Sequence, residues 1–368
     1  MARLLEGLIK SSEFPKILKT LFSVANVKSL VSVQVKKDRL TLAPVVHTDP
    51  KDIGEFPLTN FYTYGFDTPD TSAGIIHRKL QGARNQKVAY IGKPEDRYAL
   101  VELAKRKQVN LENIISITIE GVGTVNPKKL SRHLKKLKID PGSISGEFLT
   151  HDNLVLFDNS RKVIRIPFDN NLQRDDFFSF SGEVASDIYI SLIGLPEDGL
   201  TLYIAAGTPV GEEVIKRSGV KIDPLFAGYA DKKTHLLKAS WDAMTQQVGN
   251  VLEEEKNSTL DQIEGLTKCT ACGLCITVCP VCFCKDCNLK AQRKDKTIDP
   301  LTYQLTRLAH VGDSCIGCGR CAAVCPVGVP LSKYLYKIRR GMKEAFGYEA
   351  GLNLEMPPPR SKKSVCHA

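Results

Sequence analysis

The first 268 residues of this 368-residue chain contain no cysteine; all twelve cysteines lie in the last hundred positions. That gap excludes a disulfide or a thiolate-bound metal from the greater part of the chain, and it divides a cysteine-bearing part from a part that does something else. Tryptophan occurs once, at Trp241. The basic residues are not interleaved with an aromatic platform, which argues against a nucleic-acid binder. No apolar run reaches the 18 or more residues of a membrane-spanning helix, so no membrane span is expected. Glu6 interrupts the opening Met-Ala-Arg-Leu-Leu-Glu, so the start reads poorly as a secretory leader. The seven histidines are scattered and none forms a ligand pair by spacing. Cysteines this dense without a secretory signal read as metal ligands in a reducing compartment, and a cytoplasmic location is expected.

Eight of the twelve cysteines spell one motif twice. The first copy is Cys269-x2-Cys272-x2-Cys275-x3-Cys279-Pro280, the second Cys315-x2-Cys318-x2-Cys321-x3-Cys325-Pro326. Three thiolates on a tight loop grip three irons of one [4Fe–4S] cubane, and in two-cluster ferredoxins the cysteine before proline belongs to the other cluster. The expected ligand sets are Cys269, Cys272, Cys275 and Cys325 for one cluster, and Cys315, Cys318, Cys321 and Cys279 for the other. Gly273, Gly317 and Gly319 suit loops that approach a cluster closely. A structural zinc site is the competing reading, but zinc takes four ligands, usually as two pairs, and does not call for a triplet plus Cys-Pro twice over. Cys282, Cys284 and Cys287 lie between the motifs and are not needed by either. They bind another soft metal, with Cys366, His310 or a partner's residue as fourth ligand, or they are spare thiols.

Hydrophobic content of 42% and charged content of 25% are ordinary for a globular protein of two or three domains. The net charge of +10 is uneven: residues 257–368 hold 16 Lys/Arg against 9 Asp/Glu, and residues 1–256 hold 35 against 32. A basic surface beside iron–sulfur clusters would steer an acidic partner; a solvated helix face explains it equally well.

The pattern along the chain predicts an amphipathic helix from Leu4, Leu5, Leu8 and Ile9 through Ile17, Leu18, Leu21 and Phe22. A hairpin of Val31–Val35 and Leu40–Val45 follows, then a polar, turn-rich stretch over 61–85. Lys87–Gly92, Glu95–Gln108 and Ile114–Ile119 form a β-α-β unit with a parallel sheet. The Gly-x-Gly of Glu120-Gly-Val-Gly-Thr124 stands at the end of its second strand, where it marks a nucleotide site or only a tight turn. Leu154–Phe157 and Val163–Ile166 read as a hairpin, Ile188–Gly194 and Leu200–Ala205 as strands, and Val210–Ser218, Lys233–Lys256 and Leu331–Phe346 as helices. The expected organisation is an α/β domain with a mixed sheet over 1–256, an α-helical, loop-rich dicluster ferredoxin-type domain over 261–350, and a flexible tail over 351–368.

Two stretches carry a likeness. One is Cys279-Pro-Val-Cys-Phe-Cys-Lys-Asp-Cys287, with Cys315–Leu331 and Phe346-Gly-Tyr-Glu-Ala-Gly351 after it. The other runs from Lys93-Pro-Glu-Asp-Arg-Tyr-Ala-Leu-Val-Glu-Leu103 through Gln108–Ile114 to Ile119-Glu-Gly-Val-Gly-Thr124. Over about two thirds of its length the chain resembles the beta-subunit family shared by coenzyme F420-reducing hydrogenase and F420-dependent formate dehydrogenase, in the wider form found beside heterodisulfide-reductase-like proteins. Relatives usually carry Pro-Cys-Glu at Pro94-Glu95-Asp96 and a cysteine at Gly121, so the resemblance implies no cluster in the α/β domain here. It implies an oxidoreductase subunit of anaerobic metabolism, partnered by other subunits of a redox complex. The first functional reading is an electron-transfer subunit passing single electrons through two [4Fe–4S] clusters. The alternative is a flavin-containing subunit, with FAD implied by the family, that oxidises or reduces coenzyme F420 or NAD(P) and is coupled to the clusters. No catalytic residue and no flavin-binding residue is assigned. A zinc-stapled interaction module is the third reading.

Overall fold

The computed structural model describes residues 3–36, 40–65, 70–160, 162–169, 172, 184–254, 259–284, 286–295 and 298–361. A seven-stranded mixed sheet organises the N-terminal part. Its strands are β1 (Leu5–Lys10), β2 (Ser29–Val35), β3 (Leu42–His47), β4 (Val88–Gly92), β5 (Ile114–Glu120), β9 (Ile188–Ser191) and β10 (Thr201–Ala206). Between β5 and β9 the chain makes a three-stranded antiparallel sheet of β6 (Ile144–Leu149), β7 (Asn153–Asp158) and β8 (Val163–Pro167). The large sheet runs β1-β10-β9-β5-β4-β2-β3. Its centre, β2-β4-β5-β9, is parallel and both margins are antiparallel. Every residue of β4 and β5 is buried, as expected of parallel strands covered on both faces, which read as continuous apolar runs.

The β-α-β unit and both hairpins form as the pattern predicts. The helix between β4 and β5 is Pro94–Lys105, and Leu331–Phe346 is a single helix. Two expectations fail. Residues 5–10 are a strand, not the start of a helix. Leu5, Leu8 and Ile9 fit either period over so short a run, and pairing with β10 decides, from Leu5 opposite Ala206 to Lys10 opposite Thr201. The helix begins only at Phe14, with Pro15 in its first turn, where a missing N–H costs nothing. The stretch 61–85, expected as turns, holds the helices Leu58–Tyr64 and Ser72–Arg78. Six of the seven residues of the first are buried between the large sheet and the small one, where Tyr62 meets Phe148 with ring centroids 5.7 Å apart. Its polar residues, Thr59, Asn60 and Thr63, do not mark a solvent face, because Asn60 and Thr63 are buried too, and a run of seven residues is too short for its period to decide.

One face of the sheet shares a core with the helix Phe14–Val24 and the small sheet. The other is covered by Ser72–Arg78 and Pro94–Lys105, and this second core runs on into Cys279, Val281, Ile316 and Cys318. The C-terminal part, of short helices and loops, is thus seated on the α/β part. Glu102, fully buried, fastens the seam. It accepts from Lys105 Nζ at 2.8 Å and Arg106 Nη1 at 2.6 Å on its own helix. From the C-terminal segment it accepts from Tyr348 Oη at 2.9 and 3.0 Å and from the Gly351 backbone N–H at 2.7 Å. Arg106 reaches on to Ser314 Oγ at 2.5 Å. Gly351 has φ +86°, and a Cβ there would stand 2.5 Å from Tyr98 Cβ; this close approach demands glycine. Beyond it Arg360 pairs with Asp313 and donates to the His310 carbonyl at 2.7 Å. Residues 362–368 of the expected tail lie outside the described residues.

Glu102→Ala leaves buried Lys105 without a carboxylate and takes the acceptor from Tyr348 Oη and the Gly351 N–H, while Arg106 keeps Asp313 and Ser314; we expect it to cost about 3 kcal/mol in urea denaturation of the metal-loaded protein, and a loss under about 1 kcal/mol would sink this account of the seam. A second prediction concerns Asp96. It is buried at the start of the same helix, accepting from Ala73 N at 3.0 Å and Lys93 N at 3.3 Å. Burial and the neighbouring Glu95 push its carboxyl up to about 7. Between about pH 4 and 7 the folded chain keeps a proton that the unfolded chain releases, so stability falls as pH rises through this window and levels off above it. Asp96→Asn keeps an acceptor for Ala73 and should flatten this slope in thermal midpoints measured from pH 5 to 8.

Candidate iron–sulfur centres

The two cysteine motifs fold alike. In each, a loop carries the first two cysteines to a glycine with positive φ, Gly273 at +78° and Gly319 at +68°. Each glycine caps a four-residue helix that holds the third cysteine, Leu274–Thr277 and Arg320–Ala323. The two short helices pack on each other, so each pre-proline cysteine is delivered to the opposite loop. One hollow is lined by Cys269, Cys272, Cys275 and Cys325. The other is lined by Cys279, Cys315, Cys318 and Cys321.

The thiols of each group ring a hollow; among the described residues no three Cys, His, Asp or Glu side chains meet closely enough to hold a single metal ion. Donors point at the sulfurs. Ala271 N lies 3.2 Å from Cys269 Sγ, Gly317 N 3.4 Å from Cys315 Sγ and Val329 N 3.3 Å from Cys325 Sγ. Burial pushes the Cys275, Cys315 and Cys321 thiols up. Thiols so desolvated ionise when a cationic metal takes their charge, and four sulfurs with backbone N–H donors around each hollow are the donor set of a [4Fe–4S] cluster. The residues present fit the group.

The two hollows differ in setting. Cys279 and Cys318 belong to the core shared with the α/β part. Cys272 is exposed, so the first hollow reaches the surface, where Arg293 donates to the Cys272 carbonyl at 2.7 Å.

Sequence reasoning missed the helix that covers both hollows. Pro300–Val311 lies in the segment between the motifs. Gln304 Nε2 donates to Cys269 Sγ at 2.9 Å. Arg307, 3% exposed, donates to the Cys275 carbonyl at 3.1 Å and to Cys282 Sγ at 3.2 Å. Polar residues at i and i+3 on the buried face of a helix were the available signal, since such positions ordinarily hold apolar side chains.

Of the three extra cysteines, Cys282 lies against Cys279. Its thiol donates to Cys279, pulling that group down and being pushed up itself. Cys282, Cys284, Cys287 and His310 line a third hollow without meeting at one point; Cys366 lies outside the described residues. The Gly-x-Gly turn is held from within: buried Lys93 donates to the carbonyls of Tyr62 and Gly123, each at 3.0 Å, and to Thr124 Oγ1 at 2.8 Å. These three bonds are what the tight-turn reading expects. Among the described residues no helix is long and apolar enough to cross a membrane.

Residues 265–329 match the family described as 4Fe-4S dicluster domain. The chain is 32% identical over 315 residues to the F420-dependent formate dehydrogenase 1 subunit beta of Methanococcus maripaludis, covering 79% of each chain. It is 25% identical over 291 residues to the F420-dependent formate dehydrogenase subunit beta of Methanocaldococcus jannaschii, covering 74% of this chain and 76% of that one. Its fold is similar to that of a chain in the F420-reducing [NiFe] hydrogenase complex from Methanosarcina barkeri, with a TM-score of 0.50 at 13% identity over 67% of this chain and 92% of that one. A mixed α/β sheet domain joined to a dicluster segment, with a curated relative this similar along most of the chain, assigns the protein to the family of F420-dependent formate dehydrogenase beta subunits.

Proposed function

We propose that the chain is the iron–sulfur electron-transfer subunit of a multi-subunit oxidoreductase, with Cys269, Cys272, Cys275 and Cys325 holding one [4Fe–4S] cluster and Cys315, Cys318, Cys321 and Cys279 the other. The observation that carries it is the pair of four-thiol hollows, each closed by the pre-proline cysteine of the opposite motif. The bound clusters supply one-electron transfer. The chain's own residues do the rest. Cys279 and Cys318 anchor the second site to the core of the α/β part and exclude water there. Exposed Cys272 leaves the first site at the surface, beside basic Arg293, which donates to its carbonyl, and there an acidic partner subunit would be steered. The F420 dependence of the relatives supports a second reading, in which the α/β part also binds a flavin that exchanges a hydride with a deazaflavin. The second site, seated on that part, is the one placed to serve it. A cytoplasmic location belongs with either reading.

One anaerobic experiment tests both. Purified chain should contain iron and acid-labile sulfide in equal amounts and show reducible signals in electron paramagnetic resonance. Iron-free protein, or zinc without sulfide, would overturn the cluster reading. Cys279→Ser should remove the same signal as Cys318→Ser, and Cys325→Ser the same as Cys272→Ser; the opposite pairing would overturn the exchange of fourth ligands. A flavin absorption band after incubation with FAD would support the second reading, and its absence would remove it.

A further inference from the structure

Arg307 has no place in a minimal two-motif ferredoxin. It sits at 3% exposure on the helix Pro300–Val311, in the segment between the motifs. Among the described residues no carboxylate pairs with it. Its hydrogen bonds go to the Cys275 carbonyl, in the first motif, and to Cys282 Sγ, beside Cys279 of the second site. It also lines the hollow ringed by Cys279, Cys315, Cys318 and Cys321. Burying a guanidinium without a counter-charge costs several kcal/mol, and arginine does not escape by losing its proton. The countercharge must therefore come from what surrounds it, and its sulfur neighbour is Cys282, beside Cys279. A [4Fe–4S] core held by four thiolates is a net anion; if the cluster reading holds, one fills the hollow that Arg307 lines and the other is held by the motif whose Cys275 carbonyl it binds.

We propose that Arg307 is the common counter-ion of the two cluster sites, a positioning residue whose fixed charge raises both reduction potentials. The inference rests on the cluster reading. Adding an electron to either cluster deepens a negative charge beside an unmoving positive one, so the reduced state is stabilised. No proton has to follow, because the guanidinium is charged before and after. Gln304, one turn earlier on the same helix, adds a hydrogen bond to Cys269 Sγ and so acts on the first site alone, whereas Arg307 acts on both. The inserted helix thereby serves as a lid carrying one dipole and one charge, and the choice of residue at 307 sets which carriers the clusters can exchange electrons with.

The test is a redox titration of the anaerobic, iron-loaded full chain followed by electron paramagnetic resonance. Arg307→Gln should move both midpoint potentials to more negative values, and Arg307→Lys, which keeps the charge, should hold them near those of the unaltered protein. Unmoved potentials in Arg307→Gln with a full complement of iron and sulfide would overturn the proposal, as would Arg307→Lys shifted as far as Arg307→Gln. Should Arg307→Gln fail to load iron, protein labelled with 15N-arginine decides. A nitrogen hyperfine coupling to the reduced clusters that Arg307→Lys loses supports the counter-ion role, and a coupling unchanged by Arg307→Lys overturns it. Absence of iron from the unaltered protein is a separate outcome, since it removes the cluster reading itself.

Discussion

Each ring of four thiols is closed by a cysteine from the other loop, and the architecture of the C-terminal part follows from that crossing. For Cys325 to reach the hollow of Cys269 while Cys279 reaches that of Cys315, the helices Leu274–Thr277 and Arg320–Ala323 must pack against each other. Gly273 and Gly319 must then turn the chain into them through backbone angles that side chains disfavour. The chain between them has to leave and return to the same place, which frees it to grow. Here it has grown into a helix whose buried face holds Gln304 and Arg307 over the sulfurs.

The second constraint is the seam. A dicluster segment of this size has little core of its own, and its second site borrows one. Cys279, Val281, Ile316 and Cys318 continue the apolar layer beneath the helix Pro94–Lys105. Glu102 makes the contact specific, because a fully buried carboxylate tolerates only an arrangement that satisfies all its lone pairs. Lys105, Arg106, Tyr348 and the Gly351 N–H do so together. The stretch Phe346–Gly351, which marked the family resemblance, thus has a physical purpose: it returns the chain to the α/β part and locks it there. The same helix begins with buried Asp96, whose charge is moderated by Arg320 from the second cysteine loop. The charges of the two parts are accordingly not independent.

The two sites end up inequivalent despite their matching motifs. One opens to solvent at Cys272, the other rests on the sheet domain, and Arg307 stands between them. A path with one buried and one exposed end suits a subunit that links something held inside a complex to something that comes and goes.

Much of this was legible in the chain. The cysteine spacing marked the three thiols that share each loop, the two-cluster ferredoxin pattern supplied the expectation that the pre-proline cysteines cross over, and the glycines before the short helices were readable for a local reason. The strand–helix–strand unit from β4 to β5 was equally plain, because strands buried on both faces spell unbroken apolar runs. Where elements short of local signal met, the reading failed. Leu5, Leu8 and Ile9 fit two periods, and only the partner strand β10 chose between them. The helix Leu58–Tyr64 lies between two sheets, and its polar Asn60 and Thr63 are buried, so a run this short offered no clear solvent face to read. Tertiary structure alone decided that Arg307 faces sulfur, that Lys93 fills the strand-end turn, and that Glu102 clasps Tyr348 and Gly351. The reason is common to all three: a buried charge is specified by what comes to surround it from distant parts of the chain, and no spacing along the sequence records those neighbours.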